Sequence, residues 1–202
     1  RAYDLFKHSK ITTLCMFSLN KKNASDLKDV IRIARDHQIG LFSFARIVPF
    51  KAIKQDETFS PNEYREFLTE IYDFQSYILK NTKTRFVFKD HLWKLFFYER
   101  GEIRLDPRNK QISDGCGMGI NSMSILADGT VYACRRFISP VGKLPDQSIE
   151  DIFLGEKLNR YRDIKILEKC SRCELLYHCR GCPAVAWGVS GSYIKPDPQC
   201  WK

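Results

Sequence analysis

Residues 170–182 read CSRCELLYHCRGC, that is Cys170-x2-Cys173-x5-Cys179-x2-Cys182. Gaps of two residues let neighbouring thiols turn toward one centre more readily than they form separate bridges. Cys116, Cys134 and Cys200 lie in the same half of the chain and Cys15 stands alone near the start, making eight cysteines in 202 residues. The basic opening carries no secretory signal, which argues against a disulfide framework. A zinc ribbon would use four of the sulfurs and leave Cys116, Cys134 and Cys200 without a role. Cuboidal iron–sulfur clusters each take about four thiolates, so seven or eight cysteines suit two of them. Iron–sulfur is therefore favoured on spacing, with zinc open as the alternative.

The residues before the cysteines have a different pattern. Ile11–Phe17 (ITTLCMF) is rich in β-formers, and Leu27, Val30, Ile31 and Ala34 fall on one helical face that Gly40 is expected to end. Leu41–Ile47 (LFSFARI) is a short apolar run suited to a buried strand and stopped by Pro49, which completes a βαβ unit. Ser60-Pro61-Asn62-Glu63 is a capping box with proline at the first helical position, opening a helix that carries Tyr64, Phe67, Leu68, Ile71 and Ile78. A run at Arg85–Phe88 and an aromatic helix over Leu92–Tyr98 lead to Gly101. The stripe Trp93, Phe96, Phe97 and Tyr98 reads as core. Parallel sheets are buried on both faces, so two or three such strands call for more βα units than these residues supply.

From about residue 101 the segments are short and turn-rich. Ser122–Ala127, Asp128-Gly129 and Thr130–Cys134 predict a hairpin with an Asp-Gly turn, followed by loops containing Pro140, Gly142 and Pro145. Helices are expected over Ser148–Phe153 and Glu156–Lys165. The fold class is α/β followed by a small irregular α+β region, with domains at 1–100 and 101–202. At 44% hydrophobic and 13% aromatic the chain can build a core and is not a disordered tail. No apolar run reaches the roughly eighteen residues of a membrane-spanning helix, so no membrane is expected and the protein is read as cytoplasmic. The formal charge of +9 is spread along the chain, with Lys21-Lys22 and Arg135-Arg136 the only adjacent basic pairs, so nucleic acid is not an expected partner.

The order Cys116, twelve residues, Gly129-x4-Cys134, Cys170-x2-Cys173-x5-Cys179-x2-Cys182, Cys200 resembles the seven-cysteine pattern of the SPASM domain, the C-terminal extension of many radical S-adenosylmethionine enzymes. The stretches ILADGTVYAC and DPQCW resemble that family too. The preceding βαβ unit looks like the last part of the partial (β/α) barrel on which such enzymes work. The resemblance implies one or two auxiliary [4Fe–4S] clusters, with Cys170, Cys173, Cys179 and Cys200 holding the outer and Cys116, Cys134 and Cys182 the one nearer the barrel. Seven is one short of eight, which leaves an open iron, a different nuclearity or an unrecognised ligand such as Asp114. Arg135, Arg136 and Arg180 would tune the potentials, or form a solvated loop face. Two departures stand out. The family spaces its third and fourth loop cysteines by three residues where this sequence has two, and the sulfatase-maturing members carry aspartate where Arg135 stands. The resemblance thus points to maturases of ribosomally made peptides, with a precursor peptide as substrate and a flavodoxin or ferredoxin as electron donor.

The Cys-x3-Cys-x2-Cys loop that such enzymes use to bind and cleave S-adenosylmethionine does not occur in this sequence, and is expected upstream of Arg1, before the helical fragment AYDLFKHS. The chain alone is then expected to be inactive. Ligands in barrels of this kind sit at the C-terminal ends of strands, which marks Ser18 and Asn20 after the first strand and Arg46 after the second for the S-adenosylmethionine or substrate pocket. Arg46-Ile47-Val48-Pro49 resembles an Arg-x2-Pro turn of the family, and Arg46 would suit a ligand carboxylate or be an exposed loop charge. His91 and His178 read as surface or helix-end residues. No catalytic residue is assigned. The rival classes are a zinc-stabilised binding module and a stand-alone iron–sulfur electron carrier.

Overall fold

Leu14–Leu19 (β1), Leu41–Arg46 (β2) and Arg85–Phe86 (β3) form a parallel three-stranded sheet in that order. The computed structural model describes residues 10–49, 57–106, 108 and 110–202; the expected AYDLFKHS helix lies outside them. The chain divides into two units, one running to Glu102 and taking in Trp201 and Lys202, the other Ile103–Cys200. Trp201 and Lys202 thus leave the second domain in which the sequence placed them. No helix among the described residues is long and apolar enough to cross a membrane.

In the first unit, Leu27–Asp36 (α1) crosses from β1 to β2 and buries Leu27, Ile31 and Ala34. Gly40 does not end this helix. The left-handed position is taken by Gln38, at φ 55°, while Gly40 packs against Thr12 and Thr13. Pro61–Ile78 (α2) starts at the expected box: the Glu63 N–H donates to Ser60 Oγ at 3.3 Å, and the Ser60 N–H to the Glu63 carboxylate at 2.8 Å. Trp93–Glu99 (α3) buries Trp93, Leu95 and Phe96. Trp93 meets Phe44, Phe86, Phe88 and Phe96 at ring distances of 5.0–6.1 Å, so Trp93 and Phe96 of the aromatic stripe are core, while Phe97 and Tyr98 are half-buried. β2 is buried along most of its length, as an inner parallel strand should be. β1 instead alternates, leaving Leu14 and Met16 41% and 38% exposed on one face.

Arg46 is neither an exposed loop charge nor a free cation at the strand end. It is 2% exposed, and its guanidinium donates twice to Asp90, Nε to Oδ2 at 2.8 Å and Nη2 to Oδ1 at 3.1 Å. The guanidinium also lies 4.7 Å from the centre of the Tyr64 ring. Asp90 is 44 residues away in sequence, which is why local pattern did not reveal the pair.

The second unit is built on an antiparallel sheet of Ser124–Ile125 (β4), Thr130–Tyr132 (β5) and Pro140–Lys143 (β6). The hairpin is present, with a longer turn than a two-residue Asp-Gly loop. Leu126–Gly129 is closed by the Gly129 N–H donating to Leu126 O at 3.0 Å, and Gly129 sits at φ 82°. β6 corrects the expectation of loop around Pro140 and Gly142: a Pro at the first position of an edge strand removes no needed ladder bond. Ile149–Leu154 (α4) has a Ser148–Asp151 capping box, Glu156–Arg162 (α5) follows, and the expected extension to Lys165 becomes a short 3-10 turn at Ile164–Ile166. Pro183–Ser190 (α6), which the sequence reading did not anticipate, starts at Pro183 and ends on Gly191 at φ 73°.

Two outcomes follow from this packing. Burial opposes the Asp90 charge, but Arg46, His91 and the Leu92 N–H outweigh it and hold the carboxyl below its ordinary value. A depressed folded value means that the pair's stabilisation is fully present above the ordinary carboxylate value of about 4 and is lost as pH falls through the folded one. Asp90→Asn strands a buried guanidinium and should cost about 3–5 kcal/mol in urea denaturation. The double change Arg46→Met with Asp90→Leu should cost less, and a single variant as stable as the parent would contradict the pairing. In the other unit, a Cβ at Gly129 would lie 2.3 Å from Leu144 O. Gly129→Ala should therefore lower the unfolding free energy measured by denaturation by more than the roughly 1–2 kcal/mol of a left-handed residue alone.

Candidate iron–sulfur centre

Seven of the eight cysteines lie in the second unit, on four pieces of chain. Cys116 follows the segment Ser113–Gly115, which lies along the cysteine loop. The N–H groups of Ser113 and Asp114 both point to Tyr177 O, at 3.1 and 3.4 Å, and Ser113 Oγ meets His178 Nδ1 at 2.9 Å. Gly115, at φ 81°, allows the close approach: a Cβ there would stand 3.1 Å from the carbonyl oxygens of both His178 and Cys179. Cys134 lies two residues past the end of β5. Its N–H donates to Ser139 Oγ at 3.1 Å, and that hydroxyl is in turn within 3.0 Å of Cys134 O and 3.1 Å of Phe137 O. Ser139 is fully buried and closes the Cys134–Pro140 loop. Nothing in its sequence neighbourhood marked it, because the bond only exists once β5 and β6 pair.

Cys170 to Cys182 form successive tight turns. Cys170–Arg172 is a 3-10 turn, the Cys173 N–H donates to Cys170 O at 3.0 Å, and the Cys179 N–H to Leu175 O at 2.7 Å. Leu175 and Leu176 point inward and anchor the loop. Cys182 is the N-cap residue of α6. Cys200 is held through Asp197, a buried carboxylate that sequence reasoning missed. Asp197 Oδ2 accepts from the Cys182 N–H at 2.8 Å, Oδ1 from Gln199 N–H at 3.0 Å, and its carbonyl from Cys200 N–H at 3.0 Å.

The electrostatics of the thiols divide them. Burial, and then the charges of Cys182 and Cys134, push Cys116 up to about 11. Burial, and then Cys200, Cys173 and Asp197, push Cys170 up to about 11. Burial pushes Cys179 up to about 12, with Cys200, Cys170 and Asp197 adding to it and the Gly181 N–H opposing. One neighbourhood thus contains Cys116, Cys134 and Cys182, the other Cys170, Cys173, Cys179 and Cys200. Among the described residues no three or more His, Cys, Asp or Glu side chains are grouped to hold a single metal ion. Cys15 stays on β1 in the first unit.

The surroundings suit thiolate-bound iron. Arg136 Nη1 lies 3.2 Å from Cys182 Sγ, the Gly181 N–H donates to Cys179 Sγ at 3.4 Å, and the Arg180 guanidinium is buried beside Cys116. Such donors stabilise sulfur carrying negative charge. Asp114 is exposed and contributes a backbone oxygen to Arg180 Nη2 at 2.9 Å. Arg135 is exposed. The residues expected at the strand ends are arranged differently from a ready pocket. Ser18 is exposed, with its carbonyl accepting from Asn23 Nδ2 at 2.9 Å, and the Asn20 and Asn23 side chains accept from each other's backbone N–H groups at 2.9 and 2.8 Å. Arg46 is committed to Asp90.

Comparison with known proteins bears on the same residues. Residues 116–174 match the SPASM family, described as an iron–sulfur cluster-binding domain. The chain is 21% identical over 192 residues to an AdoMet-dependent heme synthase of Methanosarcina barkeri, covering 91% of this chain and 54% of that protein. It spans about half the length of the curated relatives it matches. Among solved structures it is similar to Streptococcus suis SuiB bound to S-adenosylmethionine, with a TM-score of 0.70 at 15% identity over 99% of this chain and 47% of that one. It also resembles SuiB bound to the precursor peptide SuiA, with a TM-score of 0.59 at 17% identity over 99% and 47% of the two chains. At such identities the structural likeness is one of fold. Residues from Cys116 onward thus match the SPASM family, and the chain is similar in sequence to AdoMet-dependent heme synthases and in fold to SuiB.

Proposed function

We propose that this chain belongs to a cytoplasmic radical S-adenosylmethionine enzyme and that its second unit holds two auxiliary [4Fe–4S] clusters, one on Cys170, Cys173, Cys179 and Cys200 and one on Cys116, Cys134 and Cys182. The division of the seven thiols into a group of four and a group of three carries this reading. When bound, such clusters supply one-electron transfer at potentials set by charge and hydrogen bonding around the sulfurs. The protein residues keep the thiols from water, orient them through Ser139 and Asp197, and direct N–H groups of Gly181 and Arg136 at Cys179 and Cys182. Burial raises the thiols of Cys116, Cys170 and Cys179, so metal-free these three stay protonated at neutral pH and loading releases their protons. The end of β1, with Ser18 and Asn20, is the part of the first unit where a cosubstrate pocket would lie.

A ribosomally made precursor peptide is the substrate class of this reading, with a flavodoxin or ferredoxin as electron donor; the likeness to SuiB, solved with its precursor peptide, supports it. A second reading gives the same clusters to an enzyme acting on a tetrapyrrole, and is favoured by sequence relatives named AdoMet-dependent heme synthases.

Anaerobic reconstitution of this chain should yield two clusters' worth of matched iron and acid-labile sulfide. Cys173→Ala should lose one cluster's worth and keep the other, and Cys116→Ala should do the reverse. Colourless protein with about one zinc and no sulfide would sink the assignment in favour of a structural zinc module. With the complete enzyme, S-adenosylmethionine and a reductant, a mass change on a precursor peptide or on a tetrapyrrole separates the two substrate readings.

A further inference from the structure

Arg180 is the residue between the two thiol groups, in the two-residue link from Cys179 to Cys182. It is 6% exposed, and its φ of 144° lies where L side chains are rarely found. Its guanidinium donates to three carbonyls, Nη1 to Leu176 O at 3.0 Å, Nη2 to Asp114 O at 2.9 Å and to Cys116 O at 2.8 Å. Among the described residues no carboxylate pairs with it at ion-pair distance. A buried cation with no carboxylate paired to it is costly, and a strained backbone persists where surrounding contacts over-determine it. The Asp114 carboxylate lies within its electrostatic reach without pairing to it, and anionic thiolates would add negative charge on both sides. The guanidinium is within electrostatic reach of Cys116 in the group of three and of Cys179 and Cys170 in the group of four. Arg136, by contrast, contacts Cys182, a member of the group of three alone.

We propose that Arg180 is a positioning residue shared by both sites: it ties the Asp114–Cys116 segment to the Leu176–Cys182 loop and places one buried positive charge between the two thiol groups, raising the reduction potential of each cluster they hold. This rests on the iron–sulfur reading of those groups. A cation near a cluster favours the more negative, reduced state, and burial keeps solvent from screening it. An exposed arginine on the same loop system, Arg135, should have little effect.

The experiment is an EPR-monitored redox titration of the reconstituted chain, with Cys116→Ala and Cys173→Ala backgrounds used to read each cluster alone. Arg180→Gln is expected to retain iron and sulfide while both potentials move negative. Arg136→Gln should move the cluster of the three-thiol group alone, and Arg135→Gln neither. Arg180→Lys keeps the charge without the three-carbonyl fork, so its potentials should lie closer to the parent's than those of Arg180→Gln. Unchanged potentials in a cluster-replete Arg180→Gln protein overturn the proposal, as does a shift no larger than that of Arg135→Gln. If Arg180→Gln holds no cluster, Arg180→Lys decides: clusters at near-parent potentials support the shared-charge role, and a cluster-free lysine variant overturns it. Absence of iron and sulfide from the unsubstituted chain overturns the underlying functional reading, and is seen before any variant is made.

Discussion

The second unit depends on the contact between Ser113–Cys116 and the Leu176–Cys182 loop. That contact is made of backbone groups: Tyr177, His178 and Cys179 carbonyls on one side, the amides of Ser113 and Asp114 and the bare Gly115 on the other. Unpaired carbonyls pushed away from water would be expensive, so the loop can bury its cysteines only where donors reach those oxygens. Arg180 serves three other carbonyls, those of Leu176, Asp114 and Cys116, and Gly115 lets the two segments close to van der Waals distance. The position of Cys116 relative to Cys182 follows from these bonds.

The first unit is organised on different terms. Its aromatic residues fill the space between β2, β3 and the helices α2 and α3, and one buried ion pair crosses that core from the end of β2 to the turn before α3. An ion pair in an apolar setting adds little net stability over hydrophobic replacements, but it penalises arrangements that separate the charges. Arg46 and Asp90 therefore fix which loops meet at the C-terminal end of the sheet. Exposed apolar residues on β1 show that this face of the sheet is not covered within the described residues.

The elements with local signals were legible in the sequence. Ser60 and Glu63 form the capping box their spacing implied, and the apolar face of α1 buries Leu27, Ile31 and Ala34. The near-continuous apolar run of β2 is an inner parallel strand. The readings that failed turn on partners distant in sequence. Arg46 read as a ligand-binding cation or an exposed loop charge because Asp90 is 44 residues away, and Pro140 looked like a loop because its strand is defined only by β5. The same holds at the candidate site. The cysteines announce themselves by spacing, whereas Ser139, Asp197 and Gly115 are ordinary turn residues until the chain brings thiols to them. Gly40 misled for a related reason: glycine permits a left-handed end but does not require one, and Gln38 took that role.

On the proposed assignment, neither thiol group comes from one contiguous stretch. The group of three needs the segment before the hairpin, the end of β5 and the start of α6; the group of four needs the tight loop and the tail at Cys200. Asp197 links them by accepting from Cys182 while its own carbonyl holds Cys200. Bringing such distant segments together has an entropic cost that grows slowly with loop length, and the short elements of this unit bury few large side chains to offset it. Binding free energy of metal to a site that exists only in the folded chain adds directly to folding. The interleaving therefore makes each cluster a clamp on segments that also shape the other site, and it makes a two-residue link such as Arg180-Gly181 sensitive to both.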